Sequence, residues 1–174
     1  CAGSGGQGIV SMGRLLAWAA LKNDKLVTYI PSYGAEMRGG TAHCSIIIAD
    51  SEIPSPLIET PSSLIIMNSA SLDKFENRLK KGGLMIINSS LADRKTRRKD
   101  IEVIYLPATQ IAEEIGQVRT ANMIALGVYI GKSRIVSLKK LEESLCNVFQ
   151  KAKKELLDIN IKALRKGGEI GRKS

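Results

Sequence analysis

The first residues able to do chemistry form a glycine-rich run at the start of the sequence. Residues 3–8 read Gly-Ser-Gly-Gly-Gln-Gly and fit the spacing G-x-G-x-x-G. The apolar periodicity of residues 9–21 predicts a helix directly after it. Glycines at such a turn tolerate positive φ, and a helix N-terminus offers free N–H groups and partial positive charge. The run, called the glycine loop below, therefore predicts a phosphate-binding site, or alternatively a tight turn without a ligand.

Three further side chains are candidate ligand contacts. Arg38 lies in a second glycine-rich loop, residues 32–40. It is expected either to bind a phosphate or to form an ion pair with Glu36, and the ion pair would brace the loop. Asn88 follows an apolar strand, at the edge where α/β sheets bind ligands, although asparagine there also stabilises turns. Asn122 either donates to a ligand or caps the start of its own helix.

A nicotinamide or flavin dehydrogenase is the obvious enzyme class for the glycine spacing, and it is disfavoured. Such enzymes carry an acidic residue at the end of the second strand, about 20 residues after the glycines, which holds the ribose hydroxyls. Here residues 29–32 read Tyr-Ile-Pro-Ser, and Glu36 comes too late. A phosphate-loop NTPase is disfavoured because no Lys-Ser or Lys-Thr pair closes the loop.

No catalytic or metal-binding constellation is recognisable in the sequence. The single histidine, His43, is next to Cys44 in a predicted strand, where adjacent side chains point to opposite faces, so a nucleophilic Cys–His pair is not expected. The three cysteines contain no C-x-x-C pair and cannot supply an iron–sulfur cluster or a structural zinc site. We expect reduced, largely buried thiols in a cytoplasmic protein.

The composition predicts one globular domain that suits acidic ligands or partners. The 174 residues carry a net charge of +9, from 26 basic and 17 acidic residues. Much of the charge lies in two runs, residues 94–99 and 151–173, which are expected to be solvated faces. With only 4% aromatic residues, a nucleic-acid surface is disfavoured. No apolar stretch is long enough to span a membrane, and no secretory signal pattern is present. The sequence opens inside its expected first strand, so a few preceding residues are expected to be missing.

The order of predicted elements is that of an α/β domain with helices on both faces of the sheet. Apolar runs predict strands over residues 25–30, 41–49, 64–67, 84–87 and 103–106. Helices are predicted over residues 9–21, 71–81, 110–115, 120–130 and 137 to about 167, with Thr120 and Ser137 as N-caps. The run Ile46-Ile47-Ile48 is typical of a strand covered on both faces. The basic helical tail starts at about residue 151, and residues 169–174 are expected to fray.

Two motifs read together resemble those of one protein family. The glycine loop, followed by Leu16-Ala17, and the stretch at 33–42, Tyr-Gly-Ala-Glu-Met-Arg-Gly-Gly-Thr-Ala, look like the gamma subunit of the 2-oxoacid:ferredoxin oxidoreductases. Residues 53–56, 82–83, 88–90 and 122–127 agree further, so the resemblance covers residues 3–127. This subunit corresponds to one domain of the single-chain pyruvate:ferredoxin oxidoreductases. The form of residues 37–42 is closer to the 2-oxoglutarate branch than to the pyruvate branch.

The resemblance implies a three-layer α/β/α sandwich with a Rossmann-like mixed sheet, as in domain III of pyruvate:ferredoxin oxidoreductase. It implies coenzyme A-dependent oxidative decarboxylation of a 2-oxoacid to an acyl-CoA, with ferredoxin as electron acceptor. Thiamine diphosphate is then held by alpha and beta subunits, and the iron–sulfur clusters by beta and, where present, a ferredoxin-like delta chain. The gamma subunit helps to form the coenzyme A site, with Gly3, Ser4, Gly5, Gly6, Gln7 and Gly8 as expected contacts. A stand-alone dinucleotide-binding enzyme and a purely structural assembly subunit stay open as alternatives.

Overall fold

The structure, a computed structural model, describes residues 1–34, 40–150 and 152–174. Its strands are β1 (Ala2–Ser4), β2 (Leu26–Tyr33), β3 (Thr41–Ala49), β4 (Ser63–Ile66), β5 (Leu84–Asn88) and β6 (Glu102–Leu106). Its helices are α1 (Ile9–Leu21), α2 (Ser69–Phe75), α3 (Ala108–Ile115), α4 (Ala121–Ser133), α5 (Leu138–Val148) and α6 (Lys154–Lys173). Short 3₁₀ turns cover Glu76–Arg78 and Val118–Thr120.

The strands form one mixed sheet in the order β2-β3-β1-β4-β5-β6. The four strands β1, β4, β5 and β6 run parallel, while β3 is antiparallel to β1 and β2 is antiparallel to β3. Parallel strands joined by helices bring their carboxyl ends to one edge of the sheet, and this edge is where such folds bind ligands. The predicted α/β class and mixed sheet are confirmed.

Helices cover the two faces of the sheet unequally. Residues of α1, α3, α4, α5 and α6 share one large core with the inward side chains of the strands. The second core is smaller and joins α2 to β1, β4 and β5. In the described part of the chain, no helix extending over membrane thickness has the apolar character needed to cross one.

Strand β2 runs past the proline that was expected to end it. It continues through Pro31 to Tyr33, and Pro31 pairs with Cys44 of β3. Strand β2 lies at the edge of the sheet. The hydrogen bond from the Gly34 N–H to the Thr41 carbonyl shows that the backbone N–H and C=O groups of even-numbered residues face β3. The backbone nitrogen of Pro31 therefore faces away from β3, and its lack of an N–H costs no sheet hydrogen bond.

The helices after β6 also differ from the expected pattern. The helix predicted from residue 137 to about 167 is divided into α5 and α6, and the tail expected to fray is the last part of α6. Ser137 accepts a hydrogen bond from the Lys140 N–H, as predicted, whereas Thr120 donates its hydroxyl to the Gln117 carbonyl and makes no side-chain cap. Asn68 caps α2, which therefore begins before the predicted residue 71.

Helix α6 continues through a glycine pair because those glycines pack against α4. A Cβ built on Gly167 would overlap the carbonyl oxygen of Ile124, and one on Gly127 would overlap that of Leu164. Because glycine has no side chain, two helix backbones can approach closely at such positions. The packing offsets the low helix propensity of glycine, about 1 kcal/mol per residue, so the pair that looked like a helix stop is a contact surface.

We predict that Gly167→Ala lowers the free energy of unfolding by about 2 kcal/mol or more, since its methyl group meets the Ile124 backbone. Gly168→Ala is the matched control. Its methyl group would meet the flexible ends of Leu138, at 3.2 Å, and Arg172, at 3.7 Å, so we expect a change within about 1 kcal/mol. Urea unfolding of both variants measures the difference, and equal effects would contradict the proposed role of Gly167.

A buried carboxylate fastens the segment after β5 to the α2 side of the sheet. Glu76 is only 4% exposed and accepts hydrogen bonds from Arg94, the Thr96 hydroxyl at 2.8 Å and the Arg97 N–H at 3.2 Å. Burial raises the pKa of this carboxyl, but the three hydrogen bonds outweigh burial and the pKa is lowered. Arg98 bonds the carbonyl oxygen of Leu79 at 3.0 Å. Part of the basic run at 94–99 is thus structural and not simply a solvated face.

We expect Glu76→Gln to lower the free energy of unfolding at pH 7 by about 2 kcal/mol, because the hydrogen bonds to the charged carboxylate are weakened, while Arg94 keeps its ion pair with Asp73. A carboxylate with a lowered pKa stabilises the fold above its ordinary pKa and loses this contribution as pH falls through the folded value. The difference from wild type should therefore shrink in acid. Glu155→Gln, at an exposed position of α6, is the control. A difference that stays constant down to the acid transition would contradict this account.

Candidate functional site

The glycine loop joins the end of β1 to the start of α1 at the carboxyl edge of the parallel strands. Gly6 and Gly8 have φ values of 94° and 70°, in the left-handed region that favours glycine. Gly8 is the N-cap residue of α1, and its backbone carbonyl accepts the Met12 N–H at 2.9 Å. The predicted strand–turn–helix arrangement is confirmed, with helix bounds identical to the predicted 9–21.

Hydrogen bonds inside the loop hold its shape. The Gln7 side-chain oxygen accepts the Ser4 N–H at 2.7 Å, and the Gln7 N–H donates to the Ser4 carbonyl at 3.1 Å. Gly3 lies within β1 and is buried; a Cβ there would come within 2.6 Å of both the Gln7 oxygen and Ile9. Gln7 therefore turns inward to brace the loop, and Gly3 makes room for it.

Several backbone donors of the loop have no protein acceptor. Within the described residues, the N–H groups of Gly6, Gly8 and Ile9 donate no hydrogen bond, and neither do those of Val10 and Ser11 in the first turn of α1. The first turn carries no acidic side chain, which helices commonly place there. The loop thus presents a cluster of free donors and the positive end of a helix, an arrangement that binds anions.

Two asparagines connect the loop to the rest of the fold. Asn122 is 4% exposed, and its amide donates to the Gly8 carbonyl at 3.0 Å while its oxygen accepts the Met123 N–H. Asn68 donates to the Ser4 hydroxyl at 2.6 Å and caps α2 by accepting the Ser71 N–H. Asn68 was not recognised from the sequence, although an asparagine three residues before a serine at a helix start is a capping signal.

Asn88 lies at the end of β5, farther along the same edge. Its amide donates to the Thr109 hydroxyl at 2.9 Å, and its oxygen accepts the N–H groups of Ser90 and Thr109 at 3.3 and 3.4 Å. These bonds tie the turn after β5 to the start of α3. The structure therefore gives Asn88 the turn-stabilising contacts that were weighed against ligand binding.

Arg38 and Glu36 lie outside the described residues, but the flanks of their loop are well defined. The Gly34 N–H bonds the Thr41 carbonyl at 2.8 Å, and the Gly5 N–H donates to the Gly40 carbonyl at 2.9 Å. The loop that contains Arg38 therefore leaves and re-enters the sheet beside the glycine loop. The two motifs that are far apart in sequence meet at one edge.

His43 and Cys44 do not form a reactive pair. Cys44 belongs to the helix-rich core, while the His43 ring lies 5.1 Å from Phe75 on the opposite face. Burial and then the charge of Lys74 lower the pKa of His43, which favours the neutral ring, and its buried Nδ1 has no hydrogen-bond partner among the described residues. Cys44 is buried as expected, but Cys146 is exposed, so the expectation of largely buried thiols holds only in part.

The described chain has no metal-binding cluster, and a cavity lies apart from this edge. Residues 1–34, 40–150 and 152–174 contain no cluster of three His, Cys, Asp or Glu side chains able to hold a metal ion. A cavity of about 400 Å³ lies between β3 and β4, and its lining includes Ser45 to Ile48 and Ser62 to Ile65. It lies at the amino side of β1, away from the glycine loop.

Comparison with known proteins identifies the family. The profile of the pyruvate ferredoxin/flavodoxin oxidoreductase family matches residues 1–170. Ketoisovalerate oxidoreductase subunit VorA of Methanothermobacter marburgensis is 36% identical over 99% of this chain, which spans only 36% of VorA. The 2-oxoglutarate synthase subunit KorC of Methanocaldococcus jannaschii is 32% identical over 98% of this chain and 91% of its own length.

Solved structures agree with the fold. The gamma subunit of a keto/oxoacid ferredoxin oxidoreductase from Geobacter sulfurreducens superposes with a TM-score of 0.83 at 26% identity, covering 99% of this chain and 96% of that one. The 2-oxoglutarate:ferredoxin oxidoreductase of Magnetococcus marinus superposes with a TM-score of 0.88 at 24% identity, over 99% of this chain and 30% of its own. This chain belongs to the pyruvate ferredoxin/flavodoxin oxidoreductase family and corresponds to its gamma subunit.

Proposed function

We propose that this chain is the gamma subunit of a complex that oxidatively decarboxylates a 2-oxoacid to an acyl-CoA and passes the electrons to ferredoxin. The family match and the subunit names of the relatives support this proposal. Alpha and beta subunits, and a ferredoxin-like delta chain where present, would supply thiamine diphosphate and the iron–sulfur clusters. The gamma chain fits an accessory role, since its described residues contain no metal-ligand cluster and its one histidine is held between sheet and α2. Its unpaired cysteines suit the cytoplasm.

We assign the glycine loop a share of the coenzyme A site. The observation that carries this assignment is the set of N–H groups of Gly6, Gly8 and Ile9, which have no acceptor among the described residues and lie beside the flanks of the Arg38 loop. Coenzyme A carries phosphates, which such donors bind. The Magnetococcus marinus enzyme, which shares the fold, was solved with coenzyme A and succinyl-CoA bound. Arg38 would add a positive side chain to the backbone donors.

Under this proposal, some residues of the site touch the ligand and the others hold the glycine loop and its neighbours in place. Ser4, Gly5, Gly6, Gln7 and Gly8 form the surface that a phosphate or a pantetheine amide would touch. The remaining predicted residues act from behind: Gly3 makes room for the Gln7 side chain, Asn122 holds the Gly8 carbonyl, and Asn88 fixes the neighbouring turn.

Two substrates are supported by separate observations. The form of residues 37–42 and the match to the KorC subunits favour 2-oxoglutarate. The match to VorA at 36% identity favours the branched 2-oxoacid ketoisovalerate. We propose 2-oxoglutarate as the first candidate, because the form of residues 37–42 and the match to KorC agree.

Ser11→Asp tests the coenzyme A assignment without disturbing the fold. A carboxylate in the first turn of α1 favours the helix but repels a bound phosphate. In the assembled complex we expect the apparent KM for coenzyme A to rise at least tenfold, which corresponds to about 1.4 kcal/mol. Ser11→Asn, which has the same shape and no charge, should change it little. An unchanged coenzyme A dependence in the Asp variant would contradict the assignment.

The purified complex should reduce ferredoxin with 2-oxoglutarate at a higher kcat/KM than with ketoisovalerate, and the isolated chain should turn over neither. The expected inactivity follows from the absence of a recognisable acid–base or nucleophile set in the sequence. Initial rates with both acids measure the preference. Preference for ketoisovalerate would move the chain to the VorA branch, and turnover by the isolated chain would overturn the subunit assignment.

A further inference from the structure

Within the described residues, helices cover strands β2 and β3 on one face only. Val27 and Tyr29 of β2 and Ile46 and Ile48 of β3 pack on the helix-rich core. Since side chains alternate along a strand, their neighbours point to the other face. On that side α2 packs on β1 and β4 and reaches β3 at His43, whose ring touches Phe75. The consecutive isoleucines of β3 predicted a strand that is covered on both faces. The described helices cover only one of these faces.

The uncovered face combines apolar side chains with small hydroxyl side chains and carries no charged residue. Leu26 and Ile30 are 49% and 36% exposed. We call this surface the open face; its side chains are Leu26, Thr28, Ile30, Ser32, Ser45, Ile47 and Ala49, and it ends at His43, which Phe75 covers. None is an acid, a lysine or an arginine, although 25% of the chain is charged. Depletion of charged residues around exposed apolar side chains is typical of the core of a protein–protein interface.

The comparisons indicate what kind of protein would cover such a face. The counterpart of this chain is about a third of a longer polypeptide in VorA and in the Magnetococcus marinus enzyme, whereas KorC is nearly this chain alone. The same domain therefore occurs both fused to a neighbour and as a separate chain. Where it is separate, a non-covalent surface has to hold the neighbour in place.

We infer that the open face of β2 and β3 is the docking surface for the subunit that corresponds to the part of VorA outside the match. This inference rests on the proposal that the chain works inside a multisubunit complex. The partner contributes a matching apolar surface, since the open face offers no charge to pair. Pro31 on the outer edge of β2 interrupts backbone pairing, so the partner packs on the face and does not extend the sheet at that point.

Ile30→Glu tests this inference by placing a charge at the centre of the open face. In a binding titration with the corresponding partner subunit, we expect affinity to fall at least tenfold. Leu26→Glu, at the start of β2, should act in the same direction and serves if Ile30→Glu folds poorly. Leu156→Glu is the matched control, because Leu156 is 41% exposed on α6, outside the open face. Urea unfolding of each isolated variant checks that the fold is retained.

The outcomes separate this inference from the proposed function. If the wild-type chain binds no partner subunit, the complex itself is in doubt and both proposals fail. If the wild type binds and both open-face variants bind equally well, only the docking inference is overturned. The same holds if Leu156→Glu is as damaging as Ile30→Glu. Loss of self-association in the variants, with partner binding unchanged, would assign the open face to a second copy of the chain and would also overturn the inference.

Discussion

The bond between Asn122 and the Gly8 carbonyl is the contact on which the candidate site depends. It joins residues 114 positions apart and fixes the end of the glycine loop against the start of α4. A side chain at Gly8 would overlap the Asn122 amide, and Gly8 has a positive φ, so two constraints require glycine there. Helix α4 is in turn held by the backbone contact of its glycines with α6. The basic tail therefore supports the loop indirectly, through α4.

This arrangement explains how the proposed accessory subunit would serve its complex. Under the proposal, its contribution is a set of backbone donors that have no acceptor among the described residues, on a loop that Gln7 and Asn68 brace. Donors fixed before the ligand arrives lose little entropy on binding. The open face of β2 and β3 has a separate task, since it would place those donors against the subunits that carry the chemistry. The two surfaces adjoin each other, because β2 and β3 carry the flanks of the Arg38 loop and the Gly40 carbonyl there accepts the N–H of Gly5 in the glycine loop.

The local parts of this architecture could be predicted from the sequence. The bounds of α1 agree to the residue because its apolar period is regular and a glycine precedes it. The extension of β2 through Pro31 could not be predicted, since it depends on which side of the strand lacks a neighbour. The glycines at 167 and 168 looked like a helix stop until α4 was in place beside them. Asn68 was missed for the same reason: its contact with Ser4 joins residues that only the fold brings together.

Hydrogen exchange of the loop amides tests the central claim most directly. Amides that donate to a bound ligand exchange more slowly, so the assembled complex should be compared with and without coenzyme A. We expect coenzyme A to slow exchange in the segment that contains Gly6, Gly8 and Ile9, whose N–H groups have no acceptor within the described chain. The first turn of α5, which is remote in sequence, should be unaffected. Unchanged exchange in the glycine loop, with protection confined to other segments of the complex, would contradict the account.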